Sequence, residues 1–275
     1  MRNRIIHIEG IDMSKLCRMA KVTLGTASDR LNVLKTKGID TIYSVIGMKN
    51  GIYDEAAPII GFANSVKSLG LKWCAGIDLL PLYQGVIAET GNDNRMFVRK
   101  AERAGFENTH KLFTALQGAG VKASFARIDI DLFNSLGGIS LSFEEQTRML
   151  NAVINGVKAV EPACRIIFNS VDSIDNEKAK KWFNRFQVSG GKGFDIISLS
   201  YELNAETFFT LSQNMSDLSR RFDKDIMIDI CGHEKVDDLD IGVADLDSAI
   251  ELVPMEKGFG AVYADTALDT AVLVA

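Results

Sequence analysis

Short apolar runs alternate with amphipathic stretches along the whole chain. The apolar runs are hydrophobic at both odd and even positions, which is typical of strands that are buried on both faces. We predict eight strands, at residues 4–10, 41–46, 71–80, 121–130, 165–169, 194–201, 225–231 and 260–264. The amphipathic stretches between the strands carry apolar residues at helical spacing, and glycines such as Gly38 and Gly70 follow several of them.

These amphipathic stretches predict the helices. Ser28 is expected to cap the first of them, and Ser142-Phe-Glu-Glu has the spacing of a capping box that opens another. The predicted helices run from Ser28 to the residue before Gly38, and over 55–69, 96–117, 142–160, 176–186, 205–221 and 245–253. Strands that are each joined by a helix, with no linker between them, indicate a parallel β/α fold.

Eight such units predict a compact (β/α)8 TIM barrel that forms a single domain over residues 1–275. A doubly wound sheet is the alternative fold, but the segment after the first predicted strand, Gly10–Lys15, lacks the GxGxxG phosphate loop. Only ten residues follow Asp265, so we expect the last helix to be short or missing. A second subunit could then cover the exposed outer surface, and a homodimer is an expectation.

The composition argues against several classes of protein. The formal net charge of -5 argues against a nucleic-acid partner, and no apolar run is long enough to cross a membrane. The four cysteines are far apart and the three histidines are scattered, so we predict no disulfide framework, no metal site and no cofactor. A cytoplasmic chain is the simplest interpretation, and a secretory protein whose signal has been trimmed is the alternative.

The candidate site follows from the fold, because chemistry in such barrels occurs at the carboxyl ends of the strands. The polar residues predicted there are acid-rich, and carboxylates accept hydrogen bonds from sugar hydroxyls well. The ligand-binding candidates are Asp12, Asp78, Asn169, Tyr201 and His233. The sequence therefore favours an oligosaccharide as the partner.

Several segments in order resemble glycoside hydrolase family 53, the endo-β-1,4-galactanases. Gly10-Ile-Asp-Met-Ser-Lys-Leu is similar to the family's GAD-[IVM]-S-S-L segment, and Phe194-Asp-Ile-Ile-Ser-Leu-Ser-Tyr resembles FD-[VI]-I-G-L-S-Y. Gly260-Ala-Val-Tyr-Ala-Asp-Thr-Ala resembles the closing strand GVFYWEPA. The resemblance runs from about residue 9 to residue 267 and implies a barrel that cleaves or binds galactan.

The resemblance also implies two catalytic glutamates that this chain lacks. The family places an acid/base glutamate at the end of strand four and a nucleophile at the end of strand seven. Aligning the flanking motifs puts Arg127 at the first position and Ile230 at the second. Arginine cannot donate a proton at neutral pH and isoleucine has no lone pair, so the family's retaining chemistry is not implied.

Three functions remain open at this point. The first is a catalytically degenerate barrel that binds a carbohydrate or serves as an interaction protein. The second is an active glycoside hydrolase with relocated carboxylates, for which Asp129, Glu202 and Asp265 are the fallback candidates. The third is a purely structural scaffold. The parity of strand seven predicts that Asp229 and Cys231 face the helices unless a bulge intervenes. Arg127 is predicted to be charge-paired inside the barrel.

Overall fold

The computed structural model describes residues 17–49, 56–91, 93–170, 175–202, 207–231 and 258–264. Within these ranges eight parallel strands pair in chain order and close into a barrel. The strands are β1 Cys17–Val22, β2 Thr41–Gly47, β3 Lys72–Asp78, β4 Phe125–Asp129, β5 Arg165–Ser170, β6 Ile196–Glu202, β7 Asp225–Cys231 and β8 Gly258–Ala264. The predicted TIM barrel is confirmed.

The first strand is not where the sequence predicted it. Cys17–Val22 pairs in parallel with both β2 and β8 and closes the barrel, whereas the predicted strand at 4–10 lies outside the described residues. Arg18 and Lys21 interrupt the apolar run and hide this strand, although Met19 and Ala20 are fully buried on opposite faces. The fourth strand also begins later than predicted, at Phe125, since residues 121–124 form the loop before it.

Seven helices surround the described strands. They are α1 Ser28–Thr36, α2 Ala56–Ser68, α3 Leu80–Thr90, α4 Asn94–Gly118, α5 Phe143–Val160, α6 Asn176–Val188 and α7 Phe208–Phe222, with a 3-10 turn at Ile130–Ser135. Within the same ranges, none is both long and apolar enough to cross a membrane. The predicted helix 245–253 and the chain after Asp265 lie outside the described residues, so the form of the last helix stays a prediction.

Local hydrogen bonds explain where several helices begin. At α5 the Glu145 backbone N–H donates to Ser142 Oγ at 3.2 Å and the Ser142 N–H donates to the Glu145 carboxylate at 2.8 Å, which confirms the capping box. The prediction for Ser28 is wrong: the N-cap position of α1 is Ala27, and it makes no side-chain cap. Helix α3 is not predicted from the sequence. It starts with Leu80 and Pro81, and proline is favourable there because the first residues of a helix need no partner for their N–H groups within the helix.

The buried side chains form two shells that the strands separate. Alternate residues point into the barrel, where Met19, Cys74, Phe125, Ile167 and Met227 belong to one apolar cluster. The remaining strand residues pack outward against the helices in a larger cluster. Burial raises the pKa of the Cys17 thiol to about 12, so the thiol stays protonated at neutral pH.

Side chains on four of the described helices tie neighbouring units together at the amino-terminal end of the barrel. Each bond runs from one helix to a backbone carbonyl at or just beyond the end of a later helix, where carbonyls lack a partner within the helix. The bonds are Lys35 to the Leu69 carbonyl at 2.7 Å, Lys67 to Gly120 at 2.8 Å, Gln117 to Val160 at 3.3 Å and Asn151 to Gly190 at 3.0 Å. This end of the barrel is thereby stabilised by a series of similar contacts.

Candidate active site at the carboxyl ends of the strands

A buried ion pair occupies the upper interior of the barrel. Arg127 on β4 is 4% exposed, and its Nη2 donates a hydrogen bond to the Asp229 carboxylate on β7. Two strands lie between β4 and β7, so the guanidinium spans part of the barrel interior. The prediction that Arg127 is charge-paired inside the barrel is confirmed. Such a pair is costly to break, since the remaining charge would be buried alone.

An aromatic ring completes the surroundings of Arg127. The guanidinium carbon lies 4.8 Å from the centre of the Tyr43 ring, within cation–π distance, and Lys21 Nζ lies 5.9 Å from the same ring. Gly76 on β3 makes room for this ring, because a Cβ there would lie 2.5 Å from Tyr43 Cε2. The small residue on β3 therefore permits the position of the tyrosine on β2.

The charge state of these groups follows from their contacts. Burial alone would lower the pKa of the Arg127 guanidinium, but Tyr43, once it ionises at high pH, and the Asp229 carboxylate outweigh this effect and raise it above its ordinary value. Burial raises the pKa of the Tyr43 hydroxyl, which therefore stays neutral. At neutral pH, Arg127 is a permanent cation in contact with a neutral ring.

A second carboxylate lies above this pair. Asp129 is the last residue of β4, its side chain is 61% exposed, and its Oδ1 lies 3.9 Å from Arg127 Nη2. The same oxygen accepts a hydrogen bond from Asn169 Nδ2 at 2.9 Å. Asp129 and Asn169 are register partners on β4 and β5, which explains the contact. The predicted candidates Asp129 and Asn169 are thus brought together.

The two carboxylates are close enough to act on one bond. Asp229 is hydrogen-bonded to Arg127 Nη2 and Asp129 lies 3.9 Å from the same nitrogen. Their nearest oxygens are therefore less than about 6.5 Å apart, which is no farther than the carboxylate pairs of glycosidases, at about 5 Å to about 9.5 Å. The geometry alone is compatible with either a catalytic or a binding role.

Several buried polar atoms at this level have no hydrogen-bond partner among the described residues. They are Arg127 Nε and Nη1, Asn169 Oδ1 and Ser198 Oγ. Asn169 and Ser198 are register partners on neighbouring strands, so their side chains lie side by side. Buried polar groups are almost always satisfied, and these donors and acceptors match the hydrogen-bonding capacity of hydroxyl groups or water.

The side chains of β7 face the opposite way from the prediction. Asp229 faces the barrel interior, whereas Ile230 packs in the outer cluster against the helices. The prediction that Asp229 faces the helices is therefore wrong. The one irregularity between β7 and β8 lies lower, where Ile226 pairs with Gly258 and Met227 pairs with Gly260. The inward residue near the end of β7 is an acid, which the motif alignment did not identify.

The other predicted site residues are more dispersed. Asp78 ends β3 and accepts a hydrogen bond from the Leu80 N–H at 3.0 Å, where α3 begins. Tyr201 is fully buried in the outer cluster and its hydroxyl lies 3.3 Å from Thr207 Oγ1, away from Arg127. Residues Asp12, His233 and Asp265 and the Glu202 side chain lie outside the described part of the structure. No group of three metal-binding side chains occurs within the described part.

Solved structures with the same fold include several glycoside hydrolases. A GH53 catalytic domain from Ignisphaera aggregans matches with a TM-score of 0.69 and 14% identity over 93% of this chain and 86% of that chain. A glucosidase from Croceicoccus marinus gives 0.61 and 13% over 92% and 60%. A GH10 xylanase from Thermobacillus composti gives 0.55 and 10% over 92% and 85%. At these identities the likeness concerns the fold alone.

Two comparisons of the sequence itself gave different results. No curated protein matches it. The sequence profile of Glycosyl hydrolase family 53 matches residues 95–262, which include β4, β7 and most of the helices that support them. Since this match covers more than half of the chain, the protein belongs to Glycosyl hydrolase family 53.

Proposed function

We propose that this barrel binds a carbohydrate at its mouth and has lost the retaining glycosidase chemistry. The observation that carries the proposal is the contact of Arg127 with both Asp229 and Asp129. A retaining mechanism needs one carboxylate as a nucleophile and a second carboxyl group that donates a proton. A permanent cation that lies against both groups opposes this division of roles.

Asp229 is poorly placed to attack a sugar. Its side chain is 9% exposed and it is hydrogen-bonded to a guanidinium that is itself buried. Aspartate is also one methylene shorter than glutamate, so its carboxylate lies closer to its own strand. A nucleophile must reach the anomeric carbon of a bound sugar, and burial against Arg127 keeps this oxygen within the barrel wall.

Binding is supported by the groups that remain available near the mouth. Asp129 is exposed and carries lone pairs beyond the one that accepts from Asn169. Sugar hydroxyls both donate and accept, so a sugar ring can hydrogen-bond to this exposed carboxylate. Arg127 and Ser198 carry buried polar atoms without partners among the described residues, and ordered water beneath the sugar can satisfy them.

One observation favours a second function, an active glycoside hydrolase with relocated carboxylates. The nearest oxygens of Asp129 and Asp229 are less than about 6.5 Å apart, and the two residues stand on the strands where the family's chemistry is expected. Asp129 would then act as the exposed acid or base. A purely structural scaffold is the third interpretation and predicts neither binding nor turnover.

The experiment combines binding and turnover on the same samples. Calorimetric titration with β-1,4-galacto-oligosaccharides should give saturable binding, and reducing-end assays on β-1,4-galactan should show no turnover. Asp129→Asn should weaken binding, whereas the matched amide variant Glu144→Gln, on an exposed residue of α5, should not. Turnover that is lost in Asp129→Asn would establish the second function, and the absence of all binding would favour the scaffold.

Cellular location and assembly also stay proposals. We place the protein in the cytoplasm, since the cysteines Cys17, Cys74 and Cys164 are buried with free thiols, as is usual in a reducing compartment. Homodimer formation is testable by measuring the mass in solution, and a monomer across the concentration range would remove it.

A further inference from the structure

A cavity lies at the opposite end of the barrel from Arg127. It has a volume of about 360 Å3 and is bordered by the end of α2, the start of β3 and the segment between α4 and β4. Three lysines line it, Lys67, Lys72 and Lys122, together with Trp73 and Ser124. This volume falls within the range of small-molecule sites, about 300–1,000 Å3.

The lysines at this cavity fall into two groups. Lys67 donates to the Gly120 carbonyl at 2.8 Å, and the nearby Lys35 donates to the Leu69 carbonyl at 2.7 Å. These two have a structural role at helix ends. The ammonium groups of Lys72 and Lys122 make no hydrogen bond within the described part of the chain, so they do not have this helix-end role.

The acids nearest to this second group are too far away to form hydrogen bonds. Lys72 Nζ lies 4.0 Å from Asp40 and is 56% exposed, and Lys122 Nζ lies 3.9 Å from Glu161 and is 72% exposed. The Lys72–Asp40 pair is exposed on both sides and contributes about 0–1 kcal/mol, so a ligand could replace it at little cost. Glu161 is only 11% exposed, so Lys122 has to bind the ligand while it stays beside that carboxylate. The positive charges are therefore available to an incoming anion.

We propose that this cavity binds a small, multiply charged anion of the phosphate type, such as a phosphomonoester or a pyrophosphate. The chain has a net charge of -5, yet this cavity is lined by three lysines. Lysine binds phosphate as a mobile point charge, and the side chains of Lys72 and Lys122 approach the cavity from different elements. Ser124 adds a hydroxyl that can donate to a phosphate oxygen.

The site is independent of the proposed carbohydrate function. It uses none of the residues that contact Arg127, and it opens at the amino-terminal ends of the strands. Its wall also contains a reporter, since Trp73 lines the cavity and is one of only two tryptophans in the chain. A change in the emission of Trp73 would therefore report on this end of the barrel.

Titration of the purified full-length protein with pyrophosphate at low ionic strength tests the proposal. We expect a saturable change in tryptophan emission and a rise in the thermal unfolding midpoint. The double variant Lys72→Gln, Lys122→Gln should weaken the apparent affinity at least about tenfold, since two charge-assisted contacts are lost. The control Lys181→Gln, Lys192→Gln removes the same charge from exposed positions elsewhere and should leave the affinity unchanged.

Three outcomes would overturn the proposal. The first is the absence of any saturable signal or stabilisation up to millimolar pyrophosphate. The second is an affinity that is the same in the Lys72/Lys122 variant as in the parent protein. The third is equal weakening in the control variant, which would show attraction to overall charge instead of a site. Circular dichroism of each variant verifies that the barrel is folded.

Discussion

Two aspartates of β7 each pair with an arginine, and the two pairs differ mainly in burial. Arg127 pairs with Asp229 near the carboxyl ends of the strands, and Arg165 pairs with Asp225 at the amino-terminal ends. Both aspartates belong to β7, four residues apart. The side chains of the upper pair are 4% and 9% exposed, whereas those of the lower pair are 34% and 25% exposed.

This difference in burial decides how much the fold loses when one partner of an arginine–aspartate pair is removed. The lower pair remains in contact with solvent, so water can replace either partner at little cost. The upper pair is enclosed by protein, and the loss of one partner leaves a buried charge unpaired. A buried ion pair is weak evidence of stabilisation, and its presence at the barrel mouth fits a role in positioning groups there.

The largest expected effect is at the upper pair. Arg127→Ala removes the partner of buried Asp229 and should lower the free energy of unfolding by about 3–5 kcal/mol. Denaturation in urea, followed by circular dichroism, measures this change. The variant also removes the cation that lies against the Tyr43 ring, which adds to the loss.

A double replacement separates the cost of an unpaired charge from the value of the pair. Arg127→Met combined with Asp229→Leu removes both charges and should be less destabilising than Arg127→Ala alone. If the double variant instead loses as much as the two single variants together, Arg127 and Asp229 are not energetically coupled and our explanation of the upper site is wrong.

An intermediate effect is expected at Gly76, which makes room for the ring beside Arg127. Gly76→Ala places a Cβ 2.5 Å from Tyr43 Cε2, so the ring must shift, and we expect a loss of about 1–3 kcal/mol in urea denaturation. Gly47→Ala, on the neighbouring strand β2, is the matched control because no atom lies within 4 Å of its added Cβ. Equal losses at both positions would contradict the packing argument.

The smallest effect is expected at the lower pair. Arg165→Ala should lower the free energy of unfolding by at most about 1 kcal/mol, because solvent reaches both partners. About 1 M salt should remove most of this difference, since exposed charges are screened. The loss in Arg127→Ala should persist at the same salt concentration, and a loss that disappears there would show that the upper pair is not shielded from solvent.

Much of the barrel could be predicted because its strands are apolar on both faces. The bounds predicted for the seventh strand, 225–231, agree with β7. The first strand is predicted too early in the chain because Arg18 and Lys21 interrupt the apolar pattern of β1. The residues between them, Met19 and Ala20, are nevertheless buried. The helix at Leu80–Thr90 is not predicted, since only Asp78 separates the apolar residues of β3 from the apolar first turn of this helix.

The candidate site was harder to predict than the fold. Motif alignment placed Ile230 at the inward position of β7, but inward and outward residues differ by a single step along a strand. The orientation of β7 depends on its pairing with β6 and β8, and β8 carries one additional residue between the partners of Ile226 and Met227. This irregularity leaves the alternation of β7 intact, so Asp229 shares the parity of the inward Met227, and the motif alignment is displaced by one residue.

The mouth of the barrel is proposed to bind a sugar chain without cleaving it. The most direct measurement is the titration of the intact protein with β-1,4-galacto-oligosaccharide in a calorimeter, followed by analysis of the sugar's chain length in the same sample. We expect saturable binding, weakened by Asp129→Asn, and sugar of unchanged length. Shortened products that disappear in Asp129→Asn would contradict it and would identify the barrel as an active hydrolase.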